Sequence, residues 1–173
     1  MQMVKKIVGG FFLLIILLVI FAPKEQIYYL IEKNLEKEKI IISNENFKET
    51  PFGFTIDNAD IYFEGIKMAH IKSLSLNIFL LYNQLKLESV EIDKGFQNIA
   101  PKSIDTLSAV FSIIKPYKIA IDGVGSFGEV KGGVYLNMNK LFLRFPKTDK
   151  DIRVFRKFLK KDKKGLYYEK FFK

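Results

Sequence analysis

Residues 71–93, IKSLSLNIFLLYNQLKLESVEID, set Leu74, Leu76, Ile78 and Leu80 against Ser73, Ser75, Asn77 and Phe79. Leu85 and Leu87 continue the pattern and, after a slip at Ser89, so do Val90 and Ile92. A period of two places one set on one face of a β-strand, so the stretch reads as one-sided strands with a turn at Tyr82-Asn83. The preceding PFGFTIDNADIYF (51–63) alternates through Phe52, Phe54 and Ile56 and then through Ala59, Ile61 and Phe63. The change of phase around Asp57 and Asn58 signals a bulge. Glu64-Gly65 makes the short turn between them, which gives an antiparallel meander.

Further strands are expected at Ile40 to Ile42, Tyr117 to Ile121, Val130 to Met138 and Leu141 to Phe145, with turns at Asp122-Gly123, Gly132-Gly133 and Asn137 to Lys140. Between them, Ile104, Leu107, Val110, Phe111 and Ile114 form a helical stripe that predicts a helix over Ser103 to Lys115, ended by Pro116. The count is about seven strands and three soluble helices. The expected fold is α+β: an N-terminal transmembrane helix, then a curved antiparallel sheet with two or three packing helices.

The N-terminal side is of another kind. Ile7 to Pro23, IVGGFFLLIILLVIFAP, carries no charge and follows Lys5-Lys6, the layout of a secretory signal or signal anchor. Seventeen residues make about 25 Å of helix against a hydrocarbon core of about 30 Å, a shortfall that snorkelling Lys6 and Lys24 can cover. No polar residue interrupts Ile7 to Ala22, which argues against a core helix. Ile20 before Ala22 and Pro23 after it make a poor cleavage site, so residues 1–23 are expected to stay as an anchor. The lysine count around the span favours a cytoplasmic C-terminal domain, with Lys24, Lys33, Lys37 and Lys39 after it. The export-signal layout favours the opposite, a bacterial inner-membrane protein with its domain in the periplasm. That second reading is adopted, because long domains translocate largely regardless of charge. A stalk helix over 24–38 follows, from Ile27, Leu30, Ile31 and Leu35.

The chain has 173 residues and a formal charge of +9, of which residues 147–173 hold +7. This basic amphipathic segment supplies the candidate contact residues: Arg153, Phe155, Arg156, Phe158, Lys160, Lys161, Tyr167, Tyr168, Phe171 and Phe172. Ile152, Phe155, Phe158 and Leu159 suggest a short helix, with an aromatic tail after it. Partner proteins or anionic lipid headgroups are its candidate ligands, and its removal is expected to detach the protein while leaving the sheet folded. Twenty-five of the 28 cations are Lys, and bidentate Arg is scarce, so nucleic acid is not an expected partner.

Catalytic parts are few. Cysteine is absent and His70 is the single histidine, which leaves no thiolate site, no two-His metal site and no cofactor site, and a non-enzymatic protein is expected. His70 reads as a strand histidine without an orienting carboxylate in its neighbouring pattern. Asp57, Asp60 and Glu64 lack the glycine turn of a calcium loop and read as solvated. Gly123, Gly125 and Gly128 imitate a dinucleotide fingerprint but precede strand instead of helix, so they read as turns or close backbone contacts.

The order of anchor, amphipathic helix, short strand and Pro51-Phe52-Gly53-Phe54, with Ile56, Ala59, Ile61, Ile71, Leu74, Leu76, Leu81, Leu87 and Val90, resembles the type II secretion system N protein and the wider AsmA-like periplasmic family. Gly125, Gly128, Gly132 and Gly133 with Val134 and Leu136 are similar to the family's glycine-punctuated strands. The resemblance covers about residues 5 to 145. It implies a curved sheet with an apolar inner face on a membrane stalk and no catalysis. The chain is far shorter than the family members that form lipid-guiding grooves. A structural or assembly component of an envelope-spanning machine, a secretion system or a flagellar motor scaffold, is therefore the leading expectation, with a lipid-shielding module as the alternative.

Overall fold

The computed structural model describes residues 2–172; Met1 and Lys173, the outermost residues of the expected anchor and basic segment, lie outside the described residues. Helix α1 spans Gln2–Ile20, and α2 spans Lys24–Lys37. Pro23 stands between them and caps α2, where its missing N–H costs nothing. The buried Lys24 folds its ammonium back onto the carbonyl oxygen of Ile20, neutralising the negative end of α1. Helix α1 is long and apolar enough to cross a membrane, and none of its residues is buried against the rest of the chain.

Eleven strands form one antiparallel sheet: β1 (Ile40–Ser43), β2 (Asn46–Thr50), β3 (Gly53–Phe63), β4 (Ile66–Phe79), β5 (Tyr82–Ile92), β6 (Ser103–Ser112), β7 (Lys118–Gly125), β8 (Gly128–Tyr135), β9 (Lys140–Thr148), β10 (Lys160–Asp162) and β11 (Gly165–Phe171). Apart from β1 and β2, which share the outer side of β3, the order runs as a meander to β9, then β11 and β10. A short helix α3 (Ile152–Phe155) and a 3₁₀ turn, Arg156–Phe158, connect β9 to β10.

Register sorts the side chains. One cross-strand row runs Phe54, Leu76, Leu85, Ala109, Ile121, Gly132, Leu143, Tyr168. The neighbouring row one residue away runs Thr55, Ser75, Lys86, Ser108, Asp122, Lys131, Arg144, Tyr167. Directly opposed residues share a face, so the sheet has one apolar and one polar side across its whole width. The two slips read from the sequence coincide with left-handed backbone at Asn58 (φ 58°) and Ser89 (φ 51°), which keep Ala59 and Val90 on the apolar side.

Two buried clusters hold this side. Tyr28 of α2 covers Phe54, Ile56, Ala59, Ala69, Ile71 and Val90, with its ring stacked 5.2 Å from Phe47. Ile152 of α3 covers Phe127, Val130 and Phe145 at the far end, with Phe155 against it. Burial, reinforced by the hydrogen bond that the Tyr28 hydroxyl donates to Glu45, raises the tyrosine's pKa well above its ordinary value.

Several sequence expectations are corrected. Ser103–Ser112 is strand β6, not part of a helix. Its Leu107, Ala109 and Phe111 also alternate, its Ser, Thr, Ile and Val residues are weak helix formers, and β5 and β7 offer it two pairing edges. Strands β2, β6, β10 and β11 raise the expected seven to eleven. Leu80-Leu81, not Tyr82-Asn83, makes the β4–β5 turn. Gly123 and the pair Gly132-Gly133 lie inside β7 and β8, not in turns. A Cβ on Gly132 would stand 2.0 Å from the carbonyl oxygen of Phe142, so the β8–β9 approach requires glycine there.

Candidate functional site

The two buried clusters leave the middle of the apolar side without a helix over it. Leu85, Leu107, Ala109, Phe111, Ile119 and Ile121 belong to neither cluster; Leu85 is 37% exposed and the other five are half-buried. They are brought together by register alone: Leu85 opposes Ala109, Ala109 opposes Ile121, and Phe111 opposes Ile119. An uncovered apolar strip of this kind is uncommon on a soluble domain and marks a surface that meets something apolar.

The strip continues to a cleft at the foot of the sheet. There Ile15, Leu18, Val19 and Ala22 of the α1 end face Phe52, Ile78 and Leu80 across a cavity of about 380 Å³. The one charged residue in its wall, Lys24, is occupied with Ile20. Nothing in this cavity can polarise a bond or hold an ion; its chemistry is that of hydrocarbon.

The ten contact candidates of the C-terminal segment do not form one surface. Phe155 packs against Phe127 and Phe145 with ring centroids 6.3 and 6.0 Å apart, and Tyr168 belongs to the same cluster on the apolar side. Tyr167 lies on the polar side, stacked on Phe142 at 5.6 Å with the Arg144 guanidinium 5.7 Å from its ring. Lys160 stands 3.6 Å from Glu169. Arg153, Arg156, Phe158 and Lys161 are exposed around α3 and β10, whereas Phe171 and Phe172 are exposed at the foot of the sheet. The expected aromatic tail is strand β11, hydrogen-bonded to β9. Arg144 holds Asp162 through two parallel bonds of 2.8 and 2.7 Å, which keep the Asp162 carboxyl down at about 2.

His70 has a partner that its local pattern did not reveal. Its Nδ1 lies 2.7 Å from Oδ1 of Asp60, the residue directly opposite on β3. Lys67 Nζ stands 2.7 Å from the same oxygen, and Asn44 donates to Oδ2 at 3.0 Å. Lys67 first, then His70 and Asn44, hold the Asp60 carboxyl well below the usual carboxylate range. Asp57 is bonded to Lys48 and Ser73, and Glu64 to Lys39. The three acids therefore face separate partners, and among the described residues no three His, Asp or Glu side chains converge as metal ligands.

No family model, curated protein or solved structure matches this chain. Fold and surface together define a β-rich protein: one open antiparallel sheet with an uncovered apolar strip, joined at its foot to a helix of membrane-spanning length and hydropathy.

Proposed function

We propose that this protein is a single-pass, membrane-anchored lipid-handling module of AsmA-like type, standing on the periplasmic side of a bacterial inner membrane, whose curved sheet shields an acyl chain. The observation that carries the reading is the cross-strand row from Phe54 to Tyr168, apolar except for Gly132, capped at both ends, without a helix over it between β5 and β7, and leading to the α1 cleft. Each methylene kept from water is worth about 0.8 kcal/mol, so an acyl chain on the strip has little reason to leave it for water. A chain arriving from the bilayer core exchanges one apolar environment for another at nearly equal free energy, which suits passage better than storage. Native mass spectrometry of the full chain, released from mild detergent, tests this. Phospholipid retained in a fixed small number per chain is the expected result, and its absence overturns the reading.

A second reading, a scaffold component of an envelope-spanning secretion or flagellar machine, is favoured by one observation. Tyr168–Phe171 of β11 pairs with β9 on one side and, among the described residues, with no strand on the other. An open edge accepts a strand from a partner. A stoichiometric protein partner in a mild-detergent pulldown of the full chain is the outcome that favours it.

A further inference from the structure

The two ends of the sheet differ in chemistry. At the foot, the connections are Pro51-Phe52, Leu80-Leu81, Ile113 to Tyr117 and Leu136 to Asn139, and Lys115 is the one charge among them. At the opposite end they are Glu64-Gly65, Asp93 to Lys102, Ser126-Phe127 with its buried phenylalanine, the Asp149-Lys150-Asp151 stretch and Lys163-Lys164, with Phe63, Ile66, Ile99 and Phe158 exposed among these charges. The foot tips do not bury their apolar side chains on the domain. Leu80, Leu81 and Ile114 are 51%, 53% and 86% exposed. Backbone bonds tie neighbouring tips into a rim: Ile78 N–H donates to Phe52 O, Ile113 N–H to Leu81 O at 3.0 Å, and Leu136 N–H to Tyr117 O at 2.8 Å.

The level of this rim is set by α1. Phe52 and Leu80 share a cleft with Ile15, Leu18 and Val19 of the last two turns of α1 and with Ala22 just past its end, the helical part covering about 6 Å of rise. Helix α1 has 19 residues, about 28 Å, against a hydrocarbon core of about 30 Å. A helix with no length to spare cannot hold the sheet clear of the membrane, and side chains beside its last two turns stand at the level of the acyl chains. Aromatic and lysine side chains, which suit the interface, flank the rim: Lys118 lies 5.3 Å from the Tyr135 ring centre and Lys140 5.7 Å from that of Phe171.

We infer that the foot of the sheet, Phe52, Leu80, Leu81, Ile113 and Ile114, is itself embedded in the interface of the bilayer that α1 spans, so that the protein grips the membrane at two places and the apolar strip opens directly into lipid. The inference rests on α1 being a membrane span, as in the proposed function, but does not require that the strip carry lipid.

The chain has no cysteine, so Leu81→Cys and Ile114→Cys place single labels at the rim, Lys94→Cys and Lys163→Cys at the far end, and Leu14→Cys in α1. The full-length variants, carrying a polarity-sensitive fluorophore, are reconstituted into vesicles of phosphatidylethanolamine and phosphatidylglycerol with nitroxide-labelled lipid. Labels at 81 and 114 are expected to shift to the blue and lose about half of their emission to interfacial nitroxides, while those at 94 and 163 remain unquenched. Quenching at 14 without quenching at 81 and 114 overturns the inference and leaves the anchor standing; no quenching at 14 overturns the anchor itself. A blue shift at 81 and 114 without quenching means that protein, not lipid, covers the rim, and also overturns it.

Discussion

Asp60 and His70 oppose each other on β3 and β4, Nδ1 to Oδ1 at 2.7 Å, although ten residues of sequence separate them. The Asp60 side chain is 12% exposed, whereas Lys67 and His70 keep much of their side chains in water. The desolvation cost therefore falls on Asp60, and its three donors offset it. The cluster ties the β3–β4 hairpin to Asn44, whose left-handed backbone (φ 63°) turns its amide toward the acid.

Asp60→Asn is expected to destabilise the fold by about 1–2 kcal/mol at pH 7, by removing the charge that three donors were arranged around. The sign with pH follows from the depressed carboxyl pKa. The stabilisation is complete above the ordinary aspartate pKa of about 4 and is lost as pH falls toward the lower folded value. Denaturant titrations of both proteins should show a gap at neutral pH that closes on acidification. A gap unchanged down to the acid limb would assign the effect to shape and not charge.

Arg144 and Asp162 pin β10 to the polar side of the sheet, with Arg144 also lying over Phe142 and Tyr167. Because Asp162 is held down at about 2, the pair's stabilisation is complete above the ordinary aspartate pKa of about 4 and is lost as pH falls toward the lower folded value. Arg144→Lys keeps the charge but cannot reproduce the fork. Amide exchange in Lys160–Asp162 and Gly165–Tyr167 is expected to speed up in the variant at neutral pH, while β4 and β5 stay protected. Uniform acceleration across the sheet would contradict a local clasp.

The meander from β3 to β5 was legible because each strand there carries one apolar and one polar face, and a one-sided strand writes a period of two into the sequence. The left-handed residues Asn58 and Ser89 were visible as slips of phase, but neither is a bulge: the strand register runs on through both, and the register shift of the β3–β4 pair falls at Ile61/Tyr62. Strand β6 was not. Val110 sits on its polar side and Ile104 precedes a register shift at Ile104/Thr106, so its apolar spacing imitates a helix. Strands β10 and β11 were hidden for another reason: the dense lysines of 147–173 look like a solvated tail, yet Tyr168 and Leu166 enter the apolar cluster while the charges face outward. The Asp60–His70 contact depends on cross-strand register, which no local pattern around His70 carries. The uncovered middle of the sheet was likewise beyond reading, since a strip bare of helices has the same alternation as a covered one.

The C-terminal segment is a piece of the fold, which reverses the expectation that the sheet survives without it. Deleting Asp149 to Lys173 strips β9 of its partner from Lys140 to Phe145 and exposes Phe127 and Phe145. A lowered melting temperature and rapid proteolysis of the truncated chain are the expected outcomes. Ile152→Ala, at a site 6% exposed, should cost about 2–4 kcal/mol by itself. A truncated chain as stable as the full one would return the segment to the role of an appended tail.

The uncovered strip makes a prediction that separates folding from occupancy. Phe54 lies beneath Tyr28 and is 2% exposed, so Phe54→Ala leaves a cavity and should cost about 3–5 kcal/mol. Leu85 and Ile121 occupy the same cross-strand row only two and four strands further on, but no helix covers them. Glutamine at either position keeps the backbone ladder, can reach water with its amide, and gives up little packing. Leu85→Gln with Ile121→Gln should therefore change folding stability by less than about 1 kcal/mol. For an acyl chain the same two changes put hydrogen-bonding groups in the middle of its path, and each amide that a hydrocarbon chain covers without replacing its water bonds costs about 1–3 kcal/mol. Lipid retained by the purified double variant should fall by at least about tenfold, since every 1.4 kcal/mol is a factor of ten. A double variant that melts with the wild type and keeps its lipid would show that the acyl chain lies elsewhere; one that unfolds would show that the strip is a covered core after all.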